Sequence, residues 1–123
     1  MRTALTLVAA AALTGAAVSA SAAPVGSEQS CDGSTYEMVE CLEAKTAVWD
    51  KQLNTAYHAA LKAAGAKQAE QLRTAQRLWI KYRDANCLYY DLGEGTIARI
   101  EAGSCMLDMT KSRTEELKRA LER

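Results

Sequence analysis

The stretch that decides the fold is Leu72-Arg-Thr-Ala-Gln-Arg-Leu-Trp79-Ile-Lys-Tyr-Arg-Asp-Ala-Asn-Cys87. Its stripe residues recur three or four positions apart, which is the spacing of one face of an α-helix and not that of a strand. The pattern predicts a helix that packs along one side, carries a cysteine near its end and stops near Gly93-Glu-Gly95. The stripe consists of Leu72, Ala75, Gln76, Trp79, Tyr82, Arg83 and Cys87.

A second helix is predicted on the amino-terminal side of this stretch. Ser34 or Thr35 can cap its start, and Glu37, three residues after Ser34, completes a capping box. Gly65 offers a stop. Apolar residues recur at helical spacing in between, namely Leu42, Trp49, Leu53, Ala56, Tyr57, Ala60 and Leu61. These signals predict one long helix joined to the next by a very short connection.

A third helix is predicted on the carboxyl-terminal side. It starts at about Thr96, a candidate cap, and its stripe contains Ile97, Ile100, Met106, Met109, Arg113, Leu117 and Ala120. Gly103 and Ser104 interrupt the pattern as either a kink or the true helix start, and the sequence leaves that choice open. No stretch alternates polar and apolar residues long enough for a strand. The expected fold is all-α, an antiparallel three-helix bundle stapled by disulfides.

The first residues have the features of an export signal. Arg2 is followed by an apolar run from Ala4 to Val18, and Ala20-Ser-Ala22 is a small-x-small cleavage site. We expect a signal peptide at 1–22, a flexible segment at 23–34 and a helical domain at 35–123. No cysteine ends the apolar run, so no membrane anchor is expected after cleavage. The predicted location is periplasmic or secreted.

The formal charge of the chain limits which classes of binding partner are expected. Cleavage would remove Arg2 from the 15 Lys and Arg residues and leave 14 against 15 Asp and Glu, a formal charge of −1. Nucleic-acid binding usually requires a basic excess on one face. Nucleic acid is therefore not an expected partner, and the oligomeric state stays open.

The four cysteines predict structural disulfides, because paired thiols oxidise in the bacterial envelope. A hairpin about Gly65 puts Cys41 level with Cys87, which favours a Cys41–Cys87 bond together with Cys31–Cys105. The competing pairing, Cys31–Cys41 with Cys87–Cys105, stays open.

The chain offers no catalytic, cofactor-binding or metal-binding pattern. There is no Cys-x-x-Cys pair, and the single histidine, His58, cannot complete a zinc site by spacing. No serine sits in a nucleophile elbow and no glycine-rich phosphate loop is present. We therefore expect a non-enzymatic protein without cofactors. The polar residues on or beside the stripes are predicted to form a structural network of Asp50, Asn54, Gln76, Arg83, Asp84 and Arg113.

Several short motifs together resemble a known family. They are Met38-x-x-Cys41-Leu42, Asp50-x-x-Leu53-Asn54-x-x-Tyr57, Ala75-Gln-Arg-x-Trp79-x-x-Tyr82-Arg-Asp-x-x-Cys87 and Thr110-x-x-Arg113-x-x-x-Leu117, with Cys31 and Cys105. The chain resembles the LprI-type lysozyme-inhibitor amino-terminal domain over nearly all of its mature length. The resemblance implies a small exported helical domain with paired cysteines and, as protein partner, a lysozyme.

Two functions follow as expectations. The first is an exported binding protein that inhibits a lysozyme by occluding its cleft, with the turn of Asp91, Glu94 and Thr96 as the candidate contact. The second is a periplasmic scaffold or adaptor that binds an envelope partner through an exposed helix face. Residues for that face are Leu78, Leu88, Tyr89 and Tyr90.

Overall fold

Three α-helices make up the described structure. The computed structural model describes residues 30–123, so the predicted signal peptide and most of the segment after it lie outside the described residues. Helix α1 spans Thr35–Ala63, α2 spans Ala66–Asp91 and α3 spans Ile97–Leu121. The predicted all-α bundle is confirmed.

The amino end of α1 carries the predicted capping box. The Ser34 hydroxyl accepts from the Glu37 backbone N–H at 3.4 Å, and the Glu37 carboxylate accepts from the Ser34 N–H at 2.8 Å. These contacts pair two N–H groups that a helix start leaves without an intrahelical partner. Hydrogen bonds donated by the hydroxyl and N–H of Ser34 lower the pKa of Glu37. The box therefore fixes where the chain turns helical after Cys31.

Helix α3 runs without a break through Gly103 and Ser104, which settles the choice that the sequence left open. A Cβ atom placed on Gly103 would lie 3.2 Å from Leu42 Cδ1 and 3.3 Å from Leu42 Cβ. The glycine therefore marks a close approach between α1 and α3 and not a helix start.

The helices do not pack equally on one another. Helix α3 packs against both partners, whereas α1 and α2 touch little. Contacts of α1 with α3 advance together along the chain, from Leu42 against Gly103 to Gln52 against Lys118, so these two helices are parallel. Helix α2 runs antiparallel to α3, as its contacts of Gln76 with Arg113 and of Cys87 with Cys105 show.

The hydrophobic core lies toward one end of the bundle. Leu53, Ala56, Ala60 and Leu117 form a buried cluster, against which Tyr57, Leu72 and Trp79 pack. With a rise of ~1.5 Å per residue, the Leu42–Gly103 and Cys87–Cys105 contacts put residues 50, 111 and 81 at one level. Residues 30–50 and 81–111 are called the disulfide half below. Residues 51–80 and 112–123 are called the core half.

Both disulfides lie in the disulfide half. Cys31 is bonded to Cys41, with Cα atoms 5.6 Å apart, and Cys87 to Cys105, with Cα atoms 5.5 Å apart. The favoured pairing of Cys41 with Cys87 and Cys31 with Cys105 is wrong, and the competing one is found. The hairpin argument assumed that α1 and α2 remain in contact along their length. Because they touch little, Cys87 meets α3, and Cys31 bonds to the helix that follows it in sequence.

Candidate functional site

A groove of about 930 Å³ opens between α1 and α2 in the disulfide half. Its floor is α3, which contributes Arg99, Ala102, Gly103 and Met106. The groove exists because both outer helices pack on α3 and little on each other. The α1 wall contains Val39, Glu43, Thr46, Ala47 and Asp50, and the α2 wall contains Arg83, Asp84, Cys87, Leu88 and Asp91.

Two carboxylates stand on each wall of the groove. Glu43 and Asp50 on α1 are seven residues apart, as are Asp84 and Asp91 on α2. Seven residues are about two helical turns, so each pair shares a helix face and is separated by ~10.5 Å along the axis. Among residues 30–123, two basic residues, Arg83 and Arg99, line the same groove.

The charge of Arg83 is already compensated. Its guanidinium lies 2.8 Å from an Asp84 oxygen and 5.1 Å from the centre of the Trp79 ring, with its side chain 14% exposed. Within residues 30–123 no salt bridge involves Glu43, Asp50 or Asp91. These three carboxylates therefore keep their negative charge available at the rim.

The predicted polar network divides into separate contacts. Arg113 donates to the buried Gln76 at 3.0 Å, joining α3 to α2, and also donates to Glu116 at 2.8 Å. Arg83 and Asp84 form the second contact, on α2 alone. Asp50 and Asn54 are exposed on α1, and no hydrogen bond of either side chain is found among the described residues.

Two buried threonines at the α1–α3 contact were not predicted. Thr110 and Thr114 are each 0% exposed. The Thr114 hydroxyl donates to the Thr110 carbonyl at 2.8 Å and lies 3.5 Å from the Trp49 carbonyl. The Thr110 hydroxyl has no partner among residues 30–123. Their spacing to Leu117, seven and three residues, was the available signal for this face.

The predicted stripe of α3 is only partly correct because this helix faces two neighbours. Leu117 is buried as expected, and Met106, Met109 and Arg113 are half-buried. Ile97 and Ala120 are exposed. A helix packed on two sides buries a wider arc than one stripe describes, and here that arc includes small polar residues.

The candidate binding turn lies at the end of α2 and α3, beside the groove. Asp91 is the last residue of α2, Glu94 lies in the turn and Thr96 occupies the N-cap position of α3, without a side-chain capping bond. Gly95 has φ = 75°, a left-handed conformation that favours glycine. All these residues are exposed. We call the exposed side chains around this turn the apolar tip: Leu88, Tyr89, Leu92 and Ile97.

Acidic and basic residues are nearly equal in number along the chain, but the fold places most of them in different halves. The disulfide half contains 10 acidic and 5 basic residues, a formal charge of −5, among the described residues. The core half contains 4 acidic and 9 basic residues, a formal charge of +5. The groove and the turn therefore lie in the negative half of a polarised molecule, although the total is close to zero.

The chain is similar to an uncharacterised protein of Rhizobium meliloti (strain 1021), with 33% identity over 90 residues. That alignment covers 72% of this chain and 59% of the relative, so the chain spans about six-tenths of the relative's length. No solved structure matches the chain. In the part that the structure describes, none of the helices combines the length and hydropathy of a membrane span.

The family comparison confirms the resemblance seen in the motifs. Residues 27–117 match the family described as lysozyme inhibitor LprI. The matched range includes all four cysteines, the whole groove lining and the α2–α3 turn. The chain therefore belongs to the lysozyme inhibitor LprI family.

Proposed function

We propose that this protein is an exported, non-enzymatic inhibitor of a lysozyme that acts by occluding the cleft of the enzyme. The observation that carries the proposal is the family match over residues 27–117, since the family is described as lysozyme inhibitors. The match includes α1, α2 and all but the last turn of α3. The proposed inhibitory surface is the α2–α3 turn with the apolar tip.

The construction of the turn supports this surface. Cys87 lies four residues before Asp91, and its bond to Cys105 joins the two helices that carry the turn. A restrained loop loses less conformational entropy on binding than a mobile one. Exposed carboxylates of Asp91 and Glu94 stand next to Tyr89 and Leu92, so the turn offers both charge and apolar area.

The charge separation supports the same orientation. A half with a formal charge of −5 attracts a cationic enzyme, and electrostatic complementarity raises the association rate and orients the encounter. Two disulfides in a small domain are typical of proteins in oxidising compartments. They support export to the periplasm or to the outside of the cell, where lysozymes act.

The test is a titration of c-type, g-type and phage-type lysozymes with the oxidised protein, residues 23–123, while residual lysis is measured. We expect saturable inhibition of at least one class. Asp91→Ala with Glu94→Ala should weaken inhibition about tenfold, equivalent to ~1.4 kcal/mol. The matched control is Glu115→Ala with Glu122→Ala, two carboxylates of the core half. Equal inhibition by the two variants would reject the turn, and no inhibition by the wild type would reject the proposal.

A specific observation favours the adaptor as second candidate. Leu78, Tyr82 and Tyr89 recur at helical spacing on α2 and are 61%, 63% and 75% exposed, so the prediction that Tyr82 belongs to the packing stripe of this helix is wrong. Such an apolar row on a solvent-facing helix side is a candidate protein contact. Capture of an envelope protein by the wild type, lost in Leu78→Ser with Tyr82→Ser, would support the adaptor. A monomer that captures nothing would count against it.

A further inference from the structure

We propose that the groove between α1 and α2 binds a basic, amphipathic segment of the partner protein. The aliphatic parts of its Lys or Arg side chains would lie on the α3 floor, and the charged ends would reach the carboxylates of the two walls. The inference rests on the proposed function only for the identity of the partner, a lysozyme. The arguments for a basic segment in the groove do not depend on the proposed function.

The floor and size of the groove fit long side chains. Ala102, Gly103 and Met106 offer no charged group, and Val39 and Leu88 extend the apolar surface up the walls. The charged residue of the floor helix, Arg99, lies at the end of the groove nearest the α2–α3 turn. A volume of about 930 Å³ holds several side chains. Lys and Arg commonly bury their methylene stems along apolar surface while their charged ends stay in a polar environment. This floor therefore suits the stems of basic residues.

The carboxylates of the two walls form two levels. From the Leu42–Gly103 and Cys87–Cys105 contacts, residue 43 of α1 is level with residue 88 of α2, and residue 50 with residue 81. Asp91 and Asp84 then lie within about one turn of Glu43 and Asp50, respectively. The levels are ~10.5 Å apart. A segment with basic residues at that distance can reach both levels at once.

The charges that line the groove favour a polypeptide segment with several spaced positive charges. Four carboxylates and two guanidiniums line the groove, and one carboxylate already pairs with Arg83. The excess is negative, which disfavours acidic peptides and nucleic acid. Carboxylates spread over two turns and two walls cannot all coordinate one ion, and residues 30–123 contain no cluster of metal-ligating side chains. A polypeptide with several spaced positive charges satisfies this arrangement.

The direct test is binding of a fluorescent 14-residue peptide of Leu and Lys with helical periodicity, followed by anisotropy. Its counterpart has Glu in place of Lys. We expect the Lys peptide to bind the full mature protein with an affinity that falls as salt rises, and the Glu peptide to show no binding. Equal binding of the two peptides would overturn the proposal.

Two variants distinguish binding in the groove from attraction by the overall negative potential of the disulfide half. Glu43→Gln with Asp50→Asn removes two wall charges, and Glu101→Gln with Asp108→Asn removes two charges from the same half outside the groove lining. We expect the first to weaken Lys-peptide binding about tenfold and the second less than about twofold. Equal weakening would mean attraction by the general negative potential and would overturn the groove assignment.

A blocking variant tests the groove without removing acidic residues. Ala47 lines the groove, whereas Ala44 is also exposed on α1 but does not line it. Ala47→Arg places an intramolecular cation among the wall carboxylates, so it should abolish Lys-peptide binding. Ala44→Arg adds the same charge and should retain it. Unchanged binding by Ala47→Arg would overturn the proposal.

The same variants in the lysozyme titration distinguish this inference from the proposed function. Parallel loss of peptide binding and inhibition in Glu43→Gln with Asp50→Asn supports the groove as part of the inhibitory surface. Loss of peptide binding with full inhibition overturns that role and leaves the inhibitor proposal intact. A wild type that binds the peptide but inhibits no lysozyme rejects the inhibitor proposal and supports the groove as a site for basic segments.

Discussion

The two halves of this bundle are held together by different means. In the core half, apolar side chains of all three helices pack around Leu53 and Leu117. In the disulfide half, α1 and α2 diverge, and each packs on α3 instead; the Cys87–Cys105 bond ties α2 to α3, and the Cys31–Cys41 bond ties the preceding segment to α1. The difference shows how a small domain keeps one end open. Where disulfides supply stability, side chains are released from the core and remain available for contacts.

The largest effect is expected from breaking the core half. Leu53 is 2% exposed, and Leu53→Ala should cost ~2–5 kcal/mol because it leaves a cavity in the cluster. Chemical denaturation measures the loss as a lower midpoint. Val39→Ala on the groove wall is the control and should cost less than ~1 kcal/mol, since that side chain is only half-buried. Equal costs would contradict the division into a packed and an open half.

The next effect concerns the bonds of the disulfide half. Cys87→Ser with Cys105→Ser opens a closure of 18 residues, and loop-closure entropy assigns it ~3 kcal/mol. Cys31→Ser with Cys41→Ser opens a closure of 10 residues and should cost slightly less. Cys87 is also buried, so its loss adds a packing defect. Thermal unfolding of both variants measures the order, and a greater loss from the Cys31–Cys41 pair would contradict it.

The smallest effect compares two residues at the contact between α1 and α3. Thr114→Val removes a hydroxyl with a good acceptor and should cost ~1 kcal/mol. Thr110→Val removes a buried hydroxyl without a partner in the described structure, so it should be neutral or slightly stabilising. Urea unfolding distinguishes the two. A greater loss from Thr110→Val would show that its hydroxyl has a bonded partner, such as a water.

Features that depend on nearby residues could be predicted from the sequence. The capping box follows from Ser34 and Glu37 three residues apart, and the connection between the first two helices from Gly65. The class of fold follows from periodicity alone. These signals act within one or two helical turns, where sequence spacing and distance in space are nearly the same quantity.

Features that depend on how the helices diverge could not be predicted. The favoured cysteine pairing was wrong because the level of two residues in a hairpin does not show that Cys87 faces α3. The groove also exists because α1 and α2 diverge. The sequence therefore offers no reason to place Glu43 and Asp91 in one site. The net charge of the chain did not indicate the charge separation either, because a total near zero is the sum of formal charges of −5 and +5 on the two halves.

The parallel contact of α1 with α3 has a consequence for how the chain acquires its structure. Leu42 meets Gly103 and Gln52 meets Lys118, so much of the packing joins segments more than 60 residues apart. Contacts between distant segments form slowly, because closing the long intervening loop costs conformational entropy before the contact can stabilise the chain. A chain that is made amino end first can assemble this contact only after its last helix has been added. Until then α1 lacks most of its native contact surface, so we expect it to stay largely unfolded while the chain is still incomplete.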